Sequence, residues 1–236
     1  MDRRYFFPPL ALPFFLLLFL LPLFLLSILL LFAFLGMGRA LGFSAFQTLC
    51  ILYASLLGSV VNIPVKEFER PPKVVLREFS FFGIRYSIPT VHAQKTILAV
   101  NLGGAVVPVL VAFYILPELP LCAFFIAFLA VVAISYAFSR VVEGVGVVVP
   151  AFIPPFFAAL SSFVALLLCS FPVNFAVLPK LAFAAGVLGV LFGADILNLR
   201  EVLKTGAPMV SIGGAGIFDG IFLTGVASVL LSLLFF

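Results

Sequence analysis

Two aspartates, Asp195 and Asp219, stand inside or at the edge of otherwise apolar stretches in a chain of 236 residues whose mean hydropathy is +1.37. An ionised carboxylate in or beside hydrocarbon costs several kcal/mol unless it is paired or hydrated, so intramembrane carboxylates mark a functional site by default. Two Asp side chains sharing one proton can serve as general base and general acid on a water, because mutual repulsion and burial separate their protonation steps. Asp195 and Asp219 are therefore the expected catalytic pair of a hydrolytic site that needs neither metal nor cofactor. Asn62, Asn101, Asn198, Gly214, Gly216 and Gly220 are the expected substrate-binding residues. Amide side chains supply hydrogen bonds, and glycines let an extended substrate approach the backbone.

The remaining chemistry-bearing residues point elsewhere. His92, the single histidine, falls in a polar connection and reads as a solvated loop residue, which leaves a histidine-based zinc protease or a Ser/His/Asp hydrolase without support. Cys50, Cys122 and Cys169 occur singly, without CxxC spacing, and read as small buried hydrophobes.

Positioning such a pair falls to membrane helices. With 65% hydrophobic and 9% charged residues the chain has too little polar surface to coat a soluble globule. A hydrocarbon core of ~30 Å takes about 20 helical residues at ~1.5 Å each, and windows of that length recur at 14–37, 43–61, 96–116, 121–138, 147–169, 175–195 and 217–236. The expectation is an all-α membrane protein of about seven transmembrane helices. Residues 1–42 form an N-terminal anchor and 43–236 a six-helix domain. The first span is too long for a signal core, and Pro22 should kink it.

Basic residues are retained on the cytoplasmic side. Of thirteen Lys and Arg, an N-terminus inside places Arg3, Arg4, Lys66, Arg70, Lys73, Arg77, Arg85, Lys95, Arg140, Arg200 and Lys204 in the cytoplasm, with only Arg39 and Lys180 opposed. The predicted location is the cell membrane, multi-pass, N-terminus cytoplasmic. The net charge of +4 then reflects topology and attraction to anionic headgroups of the lipid bilayer, not nucleic-acid binding. Between the second and third spans, 62–95 is expected to form a small cytoplasmic cap. It carries a β-hairpin at 74–88 around Phe82 and Gly83, and a further strand at 65–69.

An internal echo links the two ends of the domain. Gly58-Ser-Val-Val-Asn62-Ile63 ends the second span and Gly193-Ala-Asp195-Ile-Leu-Asn198-Leu199 the sixth. Each precedes a loop and then a GGA motif: Asn101-Leu-Gly103-Gly104-Ala105 and Ser211-Ile-Gly213-Gly214-Ala215. Two helix pairs in one orientation would make a parallel repeat, gathering Asn62, Asn101, Asp195, Asn198 and Asp219 at the cytoplasmic boundary. Gly pairs also serve close helix packing, which gives the echo a second explanation.

Two resemblances add to this reading. Gly193-Ala-Asp195 and Gly214-Ala-Gly216-Ile-Phe-Asp219-Gly-Ile-Phe222 resemble the paired aspartates of presenilin-type intramembrane aspartyl proteases. The chain has GIFD in place of their GxGD and Ala194 where they carry tyrosine; its Val149-Pro-Ala-Phe152 lies upstream of both aspartates. Over 43–236, the strings Asn62-Ile-Pro64, Val100-Asn-Leu-Gly-Gly-Ala-Val-Val-Pro108, Val149-Pro-Ala-Phe-Ile-Pro154, Gly193 to Asn198 and Gly213 to Gly225 resemble the prokaryotic membrane family known as domain of unknown function 1614. That likeness implies the membrane class and no established activity. Three functions stay open: an aspartyl-type hydrolase acting on a membrane peptide, an ion- or proton-coupled transporter using the same carboxylates for a small ion, and a noncatalytic scaffold.

Overall fold

The computed structural model describes residues 11–81, 84–142, 146–205, 207–214 and 220–235. The helices are α1 (Ala11–Ala40), α2 (Ala45–Gly58), α3 (Val107–Ile115), α4 (Leu121–Phe138), α5 (Ile153–Cys169), α6 (Leu178–Val190), α7 (Leu197–Lys204) and α8 (Gly220–Ser232). The strands are β1 (Asn62–Phe81), β2 (Ile84–Asn101), β3 (Arg140–Val142), β4 (Gly146–Val148) and β5 (Met209–Ile212).

α6 forms the axis of the bundle. All of its residues except Lys180 are buried, and it packs against α3, α4, α5 and α8. Small residues permit this: a Cβ on Gly189 would lie 2.6 Å from the Val131 Cβ of α4, and one on Gly225 of α8 would lie 2.7 Å from Val187. Without a hydrophobic difference between lipid and leucine, such close backbone approach is what holds apolar helices together. α1 is peripheral. It is exposed at residues 16–27 and 29–32, and it meets the bundle near its end, through Phe34 and Met37.

Among the described residues, three helical stretches are long and apolar enough to cross a membrane, Leu16–Ala40, Leu121–Phe138 and Phe175–Lys204, and four shorter apolar helices accompany them, so by helix apolarity this is a membrane protein. The sixth window runs beyond its expected end because α6 continues through a π-helical turn, Leu191–Ile196, into α7. The third and fifth windows start with strand. The β-branched residues Thr96, Ile97 and Val100 belong to β2 and Val147 and Val148 to β4, and the helices begin only at Leu102 and Ile153. Pro22 lies inside α1.

The hairpin is longer than its sequence signals imply. β1 and β2 pair antiparallel from Asn62↔Asn101 to Phe81↔Ile84, so the segment 65–69 is part of β1 and the ribbon reaches past residue 95. Two register shifts, between Pro64 and Lys66 and between Arg70 and Lys73, fall at the prolines, which cannot donate to a ladder and are tolerated at bulges. His92 lies on β2 opposite Lys73. β5 then adds in parallel to β2, with Ile97↔Met209 through Val100↔Ile212, giving the order β1-β2-β5. The face carrying Leu98 and Val210 packs on Val202 of α7.

The cysteines depart from expectation. Cys122 at the start of α4 and Cys169 at the end of α5 form a disulfide, and Cys50 is exposed, so none of the three is simply a small buried hydrophobe. Single cysteines 47 residues apart carry no pairing signal; antiparallel packing of α4 on α5 brings them together.

Candidate functional site around Asp195

Asp195 lies in the π-helical turn Leu191–Ile196. Such turns carry one extra residue and recur at functional sites. The local cause is Gly193: a Cβ there would sit 2.4 Å from the Val132 carbonyl oxygen and 2.9 Å from the Ser135 Cβ, so α4 presses directly on the α6 backbone and the helix widens beside it. The half-buried Asp195 carboxylate accepts the Gly213 N–H at 3.1 Å. Gly213 and Gly214 follow β5 with φ of 84° and 73°, a left-handed conformation that only glycine adopts without strain.

Beside Asp195 is a cavity of about 240 Å³ lined chiefly by apolar groups from the β4–α5 connection, including Val149 and Pro150, and by Val190, Gly220 and Ile221, with Asp195 and the buried Thr224 as polar members. That volume far exceeds the ~10–15 Å³ needed for one water, and polar partners are present to hold it. Gly220 on its wall is the chain neighbour of Asp219. Asp219 itself and Gly216 lie outside the described residues.

The three asparagines occupy two other positions. Asn101 is fully buried. Its Nδ2 donates to the Ser59 carbonyl at 2.7 Å and to Asn62 Oδ1 at 3.1 Å, and its Oδ1 accepts the Gly104 N–H at 2.7 Å, capping the π-helical turn Leu102–Val106 that opens α3. Asn62 Oδ1 also accepts from Ser211 Oγ at 2.6 Å. This node ties the end of α2, the root of the hairpin and β5 together two residues from the Gly213 N–H that holds Asp195. Asn198 turns to α4: its Nδ2 donates to Ser139 Oγ at 2.8 Å and to the Ala194 carbonyl at 2.8 Å. None of the three asparagines is among the cavity's lining residues.

Both GGA motifs sit at close crossings. A Cβ on Gly103 would fall 1.9 Å from the Ser55 carbonyl oxygen of α2, and one on Gly213 would fall 2.5 Å from the Ala105 Cβ of the other motif. Each motif follows a strand, and the parallel pairing of β2 with β5 sets them side by side. The stretches preceding them differ in structure: Asn62 opens a strand, whereas Asp195 to Asn198 remain helical.

Ser211, Ser59 and Thr224 do not stand out in the sequence as site residues. Their signal was weak, since a Ser or Thr in an apolar segment also satisfies itself on its own helix, as Ser59 Oγ does on the Leu56 carbonyl.

The fold and this site define a helical membrane protein with a lone described carboxylate on an apolar cavity. The chain matches, over residues 56–231, the family described as protein of unknown function (DUF1614), and it belongs to that family. No curated protein matches it, and no solved structure does. None of these comparisons shows the resemblance to presenilin-type proteases.

Proposed function

We propose that this protein is a multi-pass membrane hydrolase of the aspartyl type, crossing the cell membrane seven times, with Asp195 and Asp219 as its paired carboxylates at the cytoplasmic boundary. One observation carries the reading: Asp195 and the residue next to Asp219, Gly220, line the same cavity in an apolar bundle. Two features support the orientation. Lys66, Lys95, Arg140, Arg200 and Lys204 belong to the hairpin end of the bundle, where basic residues favour the cytoplasm. The disulfide and the Lys180–Glu118 ion pair belong to the opposite end, and disulfides persist in oxidising compartments.

In the proposed reaction one aspartate is ionised and the other protonated. The ionised carboxylate takes a proton from the cavity water as its oxygen adds to the peptide carbonyl carbon, and the protonated carboxyl gives its proton to the carbonyl oxygen. The resulting gem-diol collapses with breakage of the C–N bond: the first carboxyl gives its proton to the leaving amine, and one gem-diol hydroxyl gives its proton to the second carboxylate. The acid product leaves with the pair restored to its starting protonation. The Gly213 N–H fixes the orientation of the Asp195 carboxylate. Thr224 is placed to hold the water.

A second reading draws on the π-helical interruption of α6–α7 and the adjacent left-handed glycines. Broken backbone beside a carboxylate is also how carriers bind a proton or a small cation. Purified protein in vesicles, supplied with a fluorogenic helical membrane peptide, distinguishes the two. Asp195→Asn and Asp219→Asn should each abolish cleavage while melting as the parent does. Ion-dependent uptake altered by these substitutions, with no cleavage by the parent, would replace the hydrolase with the carrier.

A further inference from the structure

The bundle interior beyond the Asp195 cavity is not uniformly apolar. Thr224, on the cavity wall, is followed on α8 by Ser228 and Ser232, four and eight residues further on, and all three are buried. That spacing sets them on one face of the helix, each about 6 Å from the next. Ser228 Oγ has one hydrogen for two acceptors, the Ala182 carbonyl of α6 at 3.1 Å and the Gly225 carbonyl at 2.9 Å.

A further hydroxyl meets this file from α5. Ser162 Oγ is fully buried and has no hydrogen-bond partner among the described residues. Its place follows from the packing around Gly186, where an added Cβ would lie 3.2 Å from the Ala158 Cβ of α5 and 3.3 Å from Ser228 Oγ. α5 begins and α6 ends at the Asp195 cavity, which Pro154 and Val190 both border, so the two helices run antiparallel. One turn further from the cavity, Ser162 therefore comes opposite Ala182, whose carbonyl Ser228 reaches. An unpaired buried hydroxyl is costly, and water is its usual partner. Two hydrogen bonds of about 2.8 Å end to end bridge roughly 5–6 Å, which suits one water between successive hydroxyls of the file. At the disulfide end the file meets rings: Phe163 of α5 stacks on Phe235, just past α8, with centroids 4.9 Å apart, and on Phe175 at 6.1 Å.

We propose that Thr224, Ser228, Ser232 and Ser162 form a proton path through the bundle, joining the Asp195 cavity to the disulfide end and closed there by the Phe163–Phe235 stack. Water is the ligand and the proton the cargo. Each hydroxyl or water takes a proton on its oxygen and passes another on, so the chain is unchanged while the Asp195 carboxylate gains one proton and releases it to the cavity water. The path rests on the membrane reading of the chain and needs neither Asp219 nor peptide cleavage.

The test uses the full chain in vesicles that trap a pH-sensitive dye, with a potassium gradient and valinomycin supplying the voltage. Incorporation into the vesicles checks the membrane reading by itself. Apolar constrictions close a path by excluding water, so Phe235→Ala, which removes a ring from the stack, should raise proton entry at least about threefold over the parent. Adding Ser162→Ala or Ser228→Ala, each of which deletes only a hydroxyl oxygen, should return entry to the parental rate, as should adding Asp195→Asn. Entry by Phe235→Ala no faster than by the parent would overturn the proposal, as would a rise that survives Ser162→Ala. Escape of the trapped dye alongside the protons would overturn it too, by marking an unselective leak. Cleavage of the helical membrane peptide, followed in the same vesicles, reports separately on the hydrolase: Ser162→Ala should leave it at the parental rate.

Discussion

At the residue scale, the polar groups of this protein divide between holding the fold and meeting the cavity, and the hydrogen bonds show which do which. Asn101 satisfies three groups at once, and replacing it with Leu would orphan the Ser59 carbonyl and the Gly104 N–H in a dry setting. Each orphan costs roughly 1–3 kcal/mol, so Asn101→Leu should destabilise by about 2–6 kcal/mol, read as a lower melting temperature in detergent. The two asparagines of the node should respond differently to a charge. Asn62 Oδ1 accepts from both Asn101 and Ser211, a role that Asp fills unchanged, whereas Asn101→Asp sets an acceptor against Asn62 Oδ1 and the Ser59 carbonyl. Melting of Asn62→Asp should stay within about 1 kcal/mol of the parent while Asn101→Asp falls by more than about 2 kcal/mol.

At the element scale, the glycines mark where one backbone meets another. Gly103→Ala would drive a Cβ into the Ser55 carbonyl oxygen and the Ser59 nitrogen, both backbone atoms that cannot swing aside, whereas a Cβ on Gly220 meets nothing within 4 Å. Gly103→Ala should therefore cost more than about 2 kcal/mol and Gly220→Ala little, a contrast that thermal melting of the two variants checks. Gly220→Ala also adds a methyl at the cavity, so reduced cleavage with unchanged melting would fit a substrate that approaches α8 closely. Gly193 belongs with Gly103: it admits α4 to the α6 backbone, and the helix widens into the π turn that carries Asp195.

At the scale of the whole molecule, the disulfide closes α4 on α5 across a separation of 47 residues. Its loss should lower stability by about 2–4 kcal/mol, measured by melting before and after reduction. A polyethylene-glycol maleimide should add once to the denatured, unreduced chain, at Cys50, and three times after reduction. Orientation has a separate check. In a Cys50→Ser background, an impermeant maleimide applied to intact cells should label Asn174→Cys in the α5–α6 connection and leave Ser80→Cys in the ribbon unlabelled. Labelling of Ser80→Cys from outside would invert the proposed topology.

Much of the molecule was legible in its residues because single segments decide it. Twenty apolar residues in a row specify a membrane helix without reference to any neighbour, and α4 occupies the window that hydropathy assigns to it. The hairpin was legible as two strands flanking Phe82 and Gly83, which themselves lie outside the described residues. Its length was not, because the pairing that carries Thr96 to Asn101 into a strand depends on β1 and β5, the latter more than 100 residues away. Asp195 stands out in the sequence because a carboxylate among apolar residues is costly; its seat on a widened turn, held by Gly213, required α4 and β5 to pack around it. Cys122 and Cys169 make the same point. Composition and spacing express what one segment does against solvent or lipid, while pairings between distant segments exist only once packing has brought the backbones together.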